Sequence, residues 1–196
     1  ETNGEGILPT PAIGGVGLMK DVARMATVAF KRPGDVVIVI GETGGHLGQS
    51  IYLREIEGRE EGASPKVDLG IEKKHGDFVR GLIEAGRVDT CHDVSDGGLL
   101  TAIAEMCLPR GIGASIGQAG PDAIPFWFGE DQARYVAATK DKSGVLQAAR
   151  AAGVPALEIG NVAGTSLTVP GLVSISVREL RRANEAWLPG YMEAAQ

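Results

Sequence analysis

Apolar residues along the chain form short β-branched runs that alternate with segments of helical spacing. The run at 35–41, DVVIVIG, follows a Pro-Gly pair and ends in glycine, a pattern typical of a buried strand. Over residues 68–87 the apolar positions recur every three or four residues, and Gly86 stands near the end, which predicts a helix. The strand candidate at 35–41 is followed by a glycine-rich loop and a short helix candidate, and this order recurs further along the chain.

The same criteria predict the remaining elements. Further strands are predicted at 88–93, 112–116, 132–138, 156–162, 167–169 and 173–177. Further helices are predicted at 49–58, 99–108, 142–152 and 178–187, with a frayed tail after the last. Because the order implies both hairpin and crossover connections, we expect an α/β (α+β) domain in which helices pack on a mixed sheet.

Composition limits the class of protein. A chain of 196 residues with 43% hydrophobic residues suits a single globular core. A net charge of -6, without a basic run, argues against nucleic-acid binding, and no long apolar stretch indicates a membrane span. We therefore expect a cytoplasmic protein. The chain opens at Glu1 without Met in a glycine-rich stretch, so we interpret residues 1–32 as an inter-domain linker and N-terminal arm of a fragment, and 33–196 as the domain.

The segment 91–99, CHDVSDGGL, is the strongest candidate for chemistry. It lies between a predicted strand and a predicted helix, whose free N–H groups favour anions. Ser95, Asp96, Gly97 and Gly98 are the predicted nucleotide or phosphate-binding residues, because two glycines let a phosphate approach the backbone. Asp93 and Asp96 could hold a hard cation such as Mg²⁺ through their carboxylate oxygens. The alternative is a well-capped turn with no ligand.

Two further polar segments allow both a functional and a structural interpretation. The loop 41–48, GETGGHLG, matches neither the Walker pattern nor a dinucleotide fingerprint, so it is either a capped turn or a ligand loop. In the segment 126–135, FWFGEDQARY, we expect exposed aromatic side chains beside acidic residues and an arginine. These polar groups could polarise a substrate or form salt bridges at a strand edge.

Four stretches together resemble one family. They are ETNGEGILPTPAIGGVGLM at the start, TGGHLGQSIYLRE, HDVSDGGLLTAIAEM and GEDQARYVAAT, and they cover almost the whole chain. The combination resembles the C-terminal AIR-synthase-related domain of the second half of the phosphoribosylformylglycinamidine synthase family. The resemblance implies the fold of the AIR-synthase C-terminal domain.

What the resemblance implies for function is an ATP-dependent carbon-nitrogen ligase of purine biosynthesis. In that family formylglycinamide ribonucleotide, glutamine or ammonia, and ATP yield formylglycinamidine ribonucleotide. The Asp-x-Ser of the family's nucleotide site falls on Asp93 and Ser95. The resemblance thus implies that Asp93 is the magnesium ligand and that Ser95 contacts the nucleotide. The cofactors it implies are Mg²⁺ and ATP, or an ADP held for a structural purpose. No catalytic residue is assigned to this chain, and we expect the isolated domain to be inactive.

The resemblance also implies partners and alternatives. The expected partners are the N-terminal domains of the same synthase and, in the small type of the enzyme, glutaminase and small accessory subunits. Two other functions stay open at this point. One is a phosphotransferase domain similar to thiamine-monophosphate kinase, and the other is a structural module whose glycine loops only pack against a neighbouring domain.

Overall fold

The computed structural model describes residues 4, 6, 11–117 and 122–194 of the chain. The strands in this part are β1 (Val36–Ile40), β2 (Thr90–Asp93), β3 (Ala114–Ile116), β4 (Tyr135–Thr139), β5 (Ala156–Val162), β6 (Ser166–Val169) and β7 (Val173–Ser176). The helices are α1 (Ile51–Glu55), α2 (Leu69–Glu84), α3 (Gly98–Cys107), α4 (Ala123–Phe128), α5 (Lys142–Ala152) and α6 (Val177–Ala194), with a short 3-10 helix at Val22–Arg24.

The strands form one sheet in the order β2-β4-β1-β5-β3-β6-β7. β4 and β5 pair antiparallel with β1 on its two sides, so the connection through α5 crosses over β1. β3 and β6 pair in parallel, and β6 and β7 form an antiparallel hairpin. The mixed sheet with helices packed on it, the crossover and the closing hairpin are therefore confirmed.

Helices cover both faces of the sheet, so its central strands are buried on both sides. On one face α3 supplies the centre of the larger core, with Leu99, Ile103 and Met106 fully buried. On the other face α2 and α5 bury Val79 and Val145 against the opposite side of β1. The near-continuous apolar run of β1 is the sequence signature of this two-sided burial.

The aromatic segment differs from the prediction. Its first three residues belong to α4, a helix that the sequence pattern did not predict, and Trp127 is 1% exposed rather than solvent-facing. Trp127 packs edge-on against Phe126, with ring centroids 4.8 Å apart, in the core beside α3. Pro125 lies in the first turn of α4, where a proline costs no backbone hydrogen bond.

The last helix is longer than predicted. α6 continues past Trp187 to Ala194 and contains Pro189, so the expected frayed tail after residue 187 is wrong. The proline removes one helical hydrogen bond, but the helix is exposed there, and water can bind the freed carbonyl. Neither α6 nor any other helix in the described part of the chain is long and apolar enough to cross a membrane.

The packed unit begins before residue 33. Thr27 forms a β-bridge with Thr90 of β2, and Phe30 is fully buried in the core on the α3 side. Residues 11–25 of the predicted arm are exposed. Residues 1–3, 5 and 7–10 of that arm lie outside the described residues. The division at 32 and 33 stays a prediction.

Arg32 ties the start of β1 to the start of β2. Its Nη1 and Nη2 donate to the two carboxylate oxygens of Asp89 at 2.8 and 3.0 Å, and Nη2 also lies 3.0 Å from Oδ2 of Asp35. The hydrogen bonds from Arg32 lower the pKa of Asp89 below its ordinary value of 3.8, against the opposing effect of its partial burial. A carboxylate with a lowered pKa in the folded state stabilises the fold at neutral pH.

We expect this stabilisation to disappear in acid. Because the folded-state pKa of Asp89 is lowered, its contribution is present above 3.8 and is lost as the pH falls through the lower folded value. At pH 7 Asp89→Asn should lower the free energy of unfolding by less than about 1 kcal/mol, since the pair is partly exposed. Urea unfolding of both proteins between pH 7 and 2 checks this. A difference that stays constant down to pH 2 would contradict the assignment to Asp89.

Candidate functional site

Three segments meet at one edge of the sheet. β1 and β2 both run antiparallel to β4, so they end at the edge where β4 begins. This edge, which we call the loop edge, consists of the loop 41–50 after β1, the loop 94–97 after β2 and the segment 129–134 before β4. All the polar segments singled out in the sequence therefore lie together in space.

The predicted site residues occupy the turn from β2 into α3. Asp93 ends β2 with an exposed side chain, and Ser95 and Asp96 are exposed in the loop. Gly97 and Gly98 are buried at the start of α3, at φ +77° and +75°. The structure thus brings all five residues together within one turn, with the acids and the serine on the solvent side.

Gly98 is required because α3 starts against the backbone of another segment. A Cβ atom on Gly98 would lie 2.7 Å from the carbonyl carbon of Phe128 and 2.8 Å from the carbonyl oxygen of Gly129. Its left-handed φ is a second reason for glycine, since other residues rarely adopt it. The glycine pair therefore allows close approach between backbones.

The amides of the glycine pair already have acceptors inside the protein. The Gly97 N–H donates to Oε1 of Glu130 at 2.8 Å, and the Gly98 N–H donates to the Ser95 carbonyl at 3.0 Å. A phosphate could reach these two amides only by displacing those oxygens. Among the described residues, the N–H groups of Asp96 and Leu99 have no acceptor. Phosphate binding by Ser95, Asp96, Gly97 and Gly98 stays a prediction, and the geometry favours the first two.

Glu130 connects the loops on both sides of it. Its Oε1 accepts the Ile51 N–H at the start of α1 at 2.7 Å as well as the Gly97 N–H. The carboxylate thus occupies the position that a bound anion takes at helix N-termini. The sequence left Glu130 open between a substrate contact and a salt bridge, whereas in the structure its carboxylate binds backbone amides of two loops.

Asp131 binds backbone amides of the glycine-rich loop 41–50. Its two carboxylate oxygens accept the N–H groups of Gly45 and His46 at 2.9 and 3.1 Å. Arg134 lies beneath this turn with a fully buried side chain and donates to the Gly129 and Asp131 carbonyls. Its guanidinium is 3.6 Å from the Asp131 carboxylate. Arg134 therefore holds the backbone from which Glu130 and Asp131 reach the two loops.

Asp93 is ionised in its setting. Partial burial alone would raise the pKa of Asp93, but hydrogen bonds from His92, from its own backbone and from Ser95 outweigh this and lower it. His92 lies between two carboxylates, with Nδ1 3.0 Å from Oδ1 of Asp93 and Nε2 2.9 Å from Oε2 of Glu105. An exposed, ionised carboxylate is the kind of oxygen ligand that Mg²⁺ prefers.

Asp93 does not form a complete metal site by itself. Within the described part of the chain, no three His, Cys, Asp or Glu side chains are arranged to hold a metal ion. Magnesium in nucleotide sites is commonly held by one or two carboxylates together with phosphate oxygens and water. Asp93, with the Ser95 hydroxyl beside it, fits such a partial donor set.

The cysteines take no part in this site. Burial raises the pKa of Cys91 and of Cys107 to about 12, so both are protonated thiols at neutral pH. A protonated, buried thiol is a poor nucleophile.

Comparison with known proteins gives consistent results. A family model described as "AIR synthase related protein, C-terminal domain" matches residues 32–170. The phosphoribosylformylglycinamidine synthase subunit PurL of Rhodopseudomonas palustris (strain BisA53) is 53% identical over 198 residues, which cover 99% of this chain and 27% of the relative. The same subunit of Bradyrhizobium sp. (strain ORS 278) is 52% identical over 199 residues, or 100% of this chain and 27% of the relative. The chain thus spans about a quarter of the length of these curated relatives.

Solved structures show the same fold. T. maritima PurL complexed with FGAR has a TM-score of 0.68 at 21% identity, covering 82% of this chain and 30% of that one. E. coli HypE, a hydrogenase maturation protein, has a TM-score of 0.54 at 20% identity, covering 78% and 51% of the two chains. At these identities the likeness concerns the fold alone.

Proposed function

Because the chain belongs to the family of AIR synthase related proteins, as their C-terminal domain, we propose that it forms one wall of a Mg-nucleotide site in an ATP-dependent ligase. The ligase is phosphoribosylformylglycinamidine synthase, after which the relatives that share about half of this chain's residues are named. In this proposal formylglycinamide ribonucleotide, ATP and glutamine or ammonia give formylglycinamidine ribonucleotide in the cytoplasm. The chain supplies part of the enzyme, and its N-terminal partner domains supply the rest.

One observation carries the proposal for this domain. Asp93 is ionised and exposed at the loop edge, directly beside the exposed Ser95 and Asp96. When Mg²⁺ and the nucleotide are bound, the metal neutralises phosphate charge. The residues of this chain orient that complex, with the Asp93 carboxylate toward the metal and the Ser95 hydroxyl toward a phosphate oxygen. T. maritima PurL has been solved with ATP and with ADP, which supports a nucleotide as the ligand.

The proposal places no catalytic residue on this chain. The nucleotide bound by this domain is either the reacting ATP or an ADP held for structural reasons, and the domain is inactive when separated from its N-terminal partners. Glutaminase and small accessory subunits complete the enzyme where it is of the small type. The solved complex named "PurLQS" from T. maritima is consistent with such an assembly.

The internal pairing of the glycine amides favours a second candidate, a purely structural module. In that case the Gly97 and Gly98 turn serves only to let α3 approach residues 128–129. Asp93 would then be an exposed acid without a ligand. The two candidates make opposite predictions for a variant at Asp93.

The test uses the full-length synthase that carries this chain, assayed for amidine formation with ATP, Mg²⁺ and ammonia. We expect turnover, and we expect Asp93→Ala to bind Mg-ADP about tenfold more weakly by calorimetry, the loss of one charge-assisted interaction. Asp77→Ala is the matched control, because Asp77 is an exposed aspartate of α2 that pairs with Lys73 and Arg80 of the same helix. Its affinity should stay within about twofold of the wild type.

Two outcomes would overturn these assignments separately. Absence of amidine formation in the intact protein would reject the ligase. Equal Mg-ADP affinity for Asp93→Ala and the wild type, in an active enzyme, would leave the ligase in place and assign the domain the structural role.

A further inference from the structure

A cleft lies beside Asp131, and Gly97 is not part of its lining. It has a volume of about 480 Å³ and opens between the loop 41–50, the start of α2 and residues 153–155. Its polar lining includes Glu42, His46, Lys66, Lys74, His75 and Gln132. This size and this mixture of apolar walls with a few polar groups are typical of small-molecule sites.

His75 is the most informative residue of this cleft. The residue is only 5% exposed, and its Nδ1 lies 2.9 Å from the Ala133 carbonyl oxygen. A carbonyl oxygen only accepts, so Nδ1 carries a hydrogen, and in the neutral tautomer this leaves Nε2 as an acceptor. Nε2 has no partner among the described residues. The cleft is therefore lined by a buried histidine whose Nε2 is open to a ligand.

The backbone that orients His75 is itself unusual. Ala133 has φ +58°, in the left-handed region, although it is not glycine and is buried. The carbonyl of Ala133 also lies where Gly41 has no side chain, since a Cβ there would be 2.5 Å from it. The turn that presents this carbonyl to His75 is thus fixed by the end of β1.

Two lysines of the cleft keep hydrogen-bond donors for a ligand. The lining has three carboxylates, Glu42, Asp68 and Asp131, of which the first two are exposed. Lys66 forms no ion pair among the described residues. Lys74 donates one hydrogen to the Gly153 carbonyl at 2.6 Å and keeps two for a ligand. Both ammonium groups therefore have donors that no group of the described chain accepts.

From these contacts we propose that the cleft binds a small ligand that carries both an oxyanion and a hydroxyl group. Lys66 and Lys74 bind the oxyanion, and the hydroxyl donates to Nε2 of His75. Sugar phosphates and hydroxy acids share this chemistry. The site is separate from Asp93, which is not part of the lining of this cleft.

Nitrogen-15 NMR of the full chain, labelled at histidine, tests this directly, because one of its three histidines, His92, lies outside the lining of the cleft and serves as the control. The probes are glycerol 3-phosphate, glycerate and glycerol, which separate phosphate from carboxylate and from hydroxyl alone. We expect His75 to be in the Nδ1–H form, and we expect its Nε2 signal to shift saturably with one of the two anions, while glycerol and the His92 signals show no such effect.

Variants locate the oxyanion. Lys66→Gln should weaken binding of the active anion about tenfold, as expected for a charge-assisted hydrogen bond. Lys73→Gln is the matched control, because Lys73 is an exposed lysine next to Lys74 in the sequence and pairs with Asp77. This substitution removes an equal charge and should change the affinity for the anion by less than about twofold. A neutral His75 with its hydrogen on Nε2, no saturable shift with either anion, or equal effects of the two variants would each reject the proposal.

Discussion

Arg134→Ala is expected to lower the free energy of unfolding by about 3–5 kcal/mol, the range for breaking a buried ion pair from one side. The side chain is fully buried beneath the loop edge, and its removal leaves the Gly129 and Asp131 carbonyls without their donor and the Asp131 carboxylate without the cation 3.6 Å from it. Because this backbone positions Glu130, both glycine-rich loops should loosen as well. Urea unfolding followed by circular dichroism measures the loss.

Arg80→Ala provides the matched control. Arg80 is an exposed arginine of α2 that pairs with Asp77 at 3.1 Å, and an exposed pair of this kind contributes less than about 1 kcal/mol. If the two variants unfolded at similar urea concentrations, Arg134 would not be the support of the loop edge.

Gly98→Ala should cost about 2–4 kcal/mol, the sum of a left-handed φ and an overpacked contact. The new methyl group would meet the backbone of residues 128–129 within 3 Å, and backbone cannot rotate away as a long side chain can. We expect a lower melting temperature and faster hydrogen exchange of the α3 amides. Both follow from moving the start of α3 away from α4.

Gly81→Ala is the control for the glycine change itself. Gly81 lies within α2 with open space where its Cβ would be, so alanine should stabilise the helix by about 0.5–1 kcal/mol. If Gly98→Ala lowers the free energy of unfolding and Gly81→Ala raises it, the effect depends on the position of the glycine and not on the loss of a glycine as such. An unchanged free energy of unfolding for Gly98→Ala would show that α3 can shift without cost.

The elements that depend on local pattern were predictable. The bounds predicted for α5 and β5 coincide with those of the structure. Gly153 ends α5, and β5 is an apolar run with turns at both ends. The family resemblance drawn from four sequence stretches is confirmed by the family match over residues 32–170. That resemblance used residue identity at many positions, which periodicity alone cannot supply.

The contacts of the site were beyond sequence reasoning because they join distant positions. Glu130 accepts amides 33 and 79 positions away, and nothing in a local window indicates either partner. His75 has no ligand spacing to another histidine in the sequence, yet its position on α2 places it under Ala133, 58 positions away. The turn of Ser95 to Gly98 was predictable as a turn, whereas the acceptors of its amides were not.

The adjacency of Glu130 and Asp131 has a thermodynamic consequence. Glu130 binds the Gly97 and Ile51 amides, Asp131 binds the Gly45 and His46 amides, and one short stretch of backbone over Arg134 carries both carboxylates. A ligand that displaces Glu130 from the Gly97 amide must move the stretch of backbone that also carries Asp131, which binds the Gly45 and His46 amides. Linkage makes such an effect reciprocal, so occupancy beside His75 and occupancy beside Asp93 would change each other's affinity by one common factor.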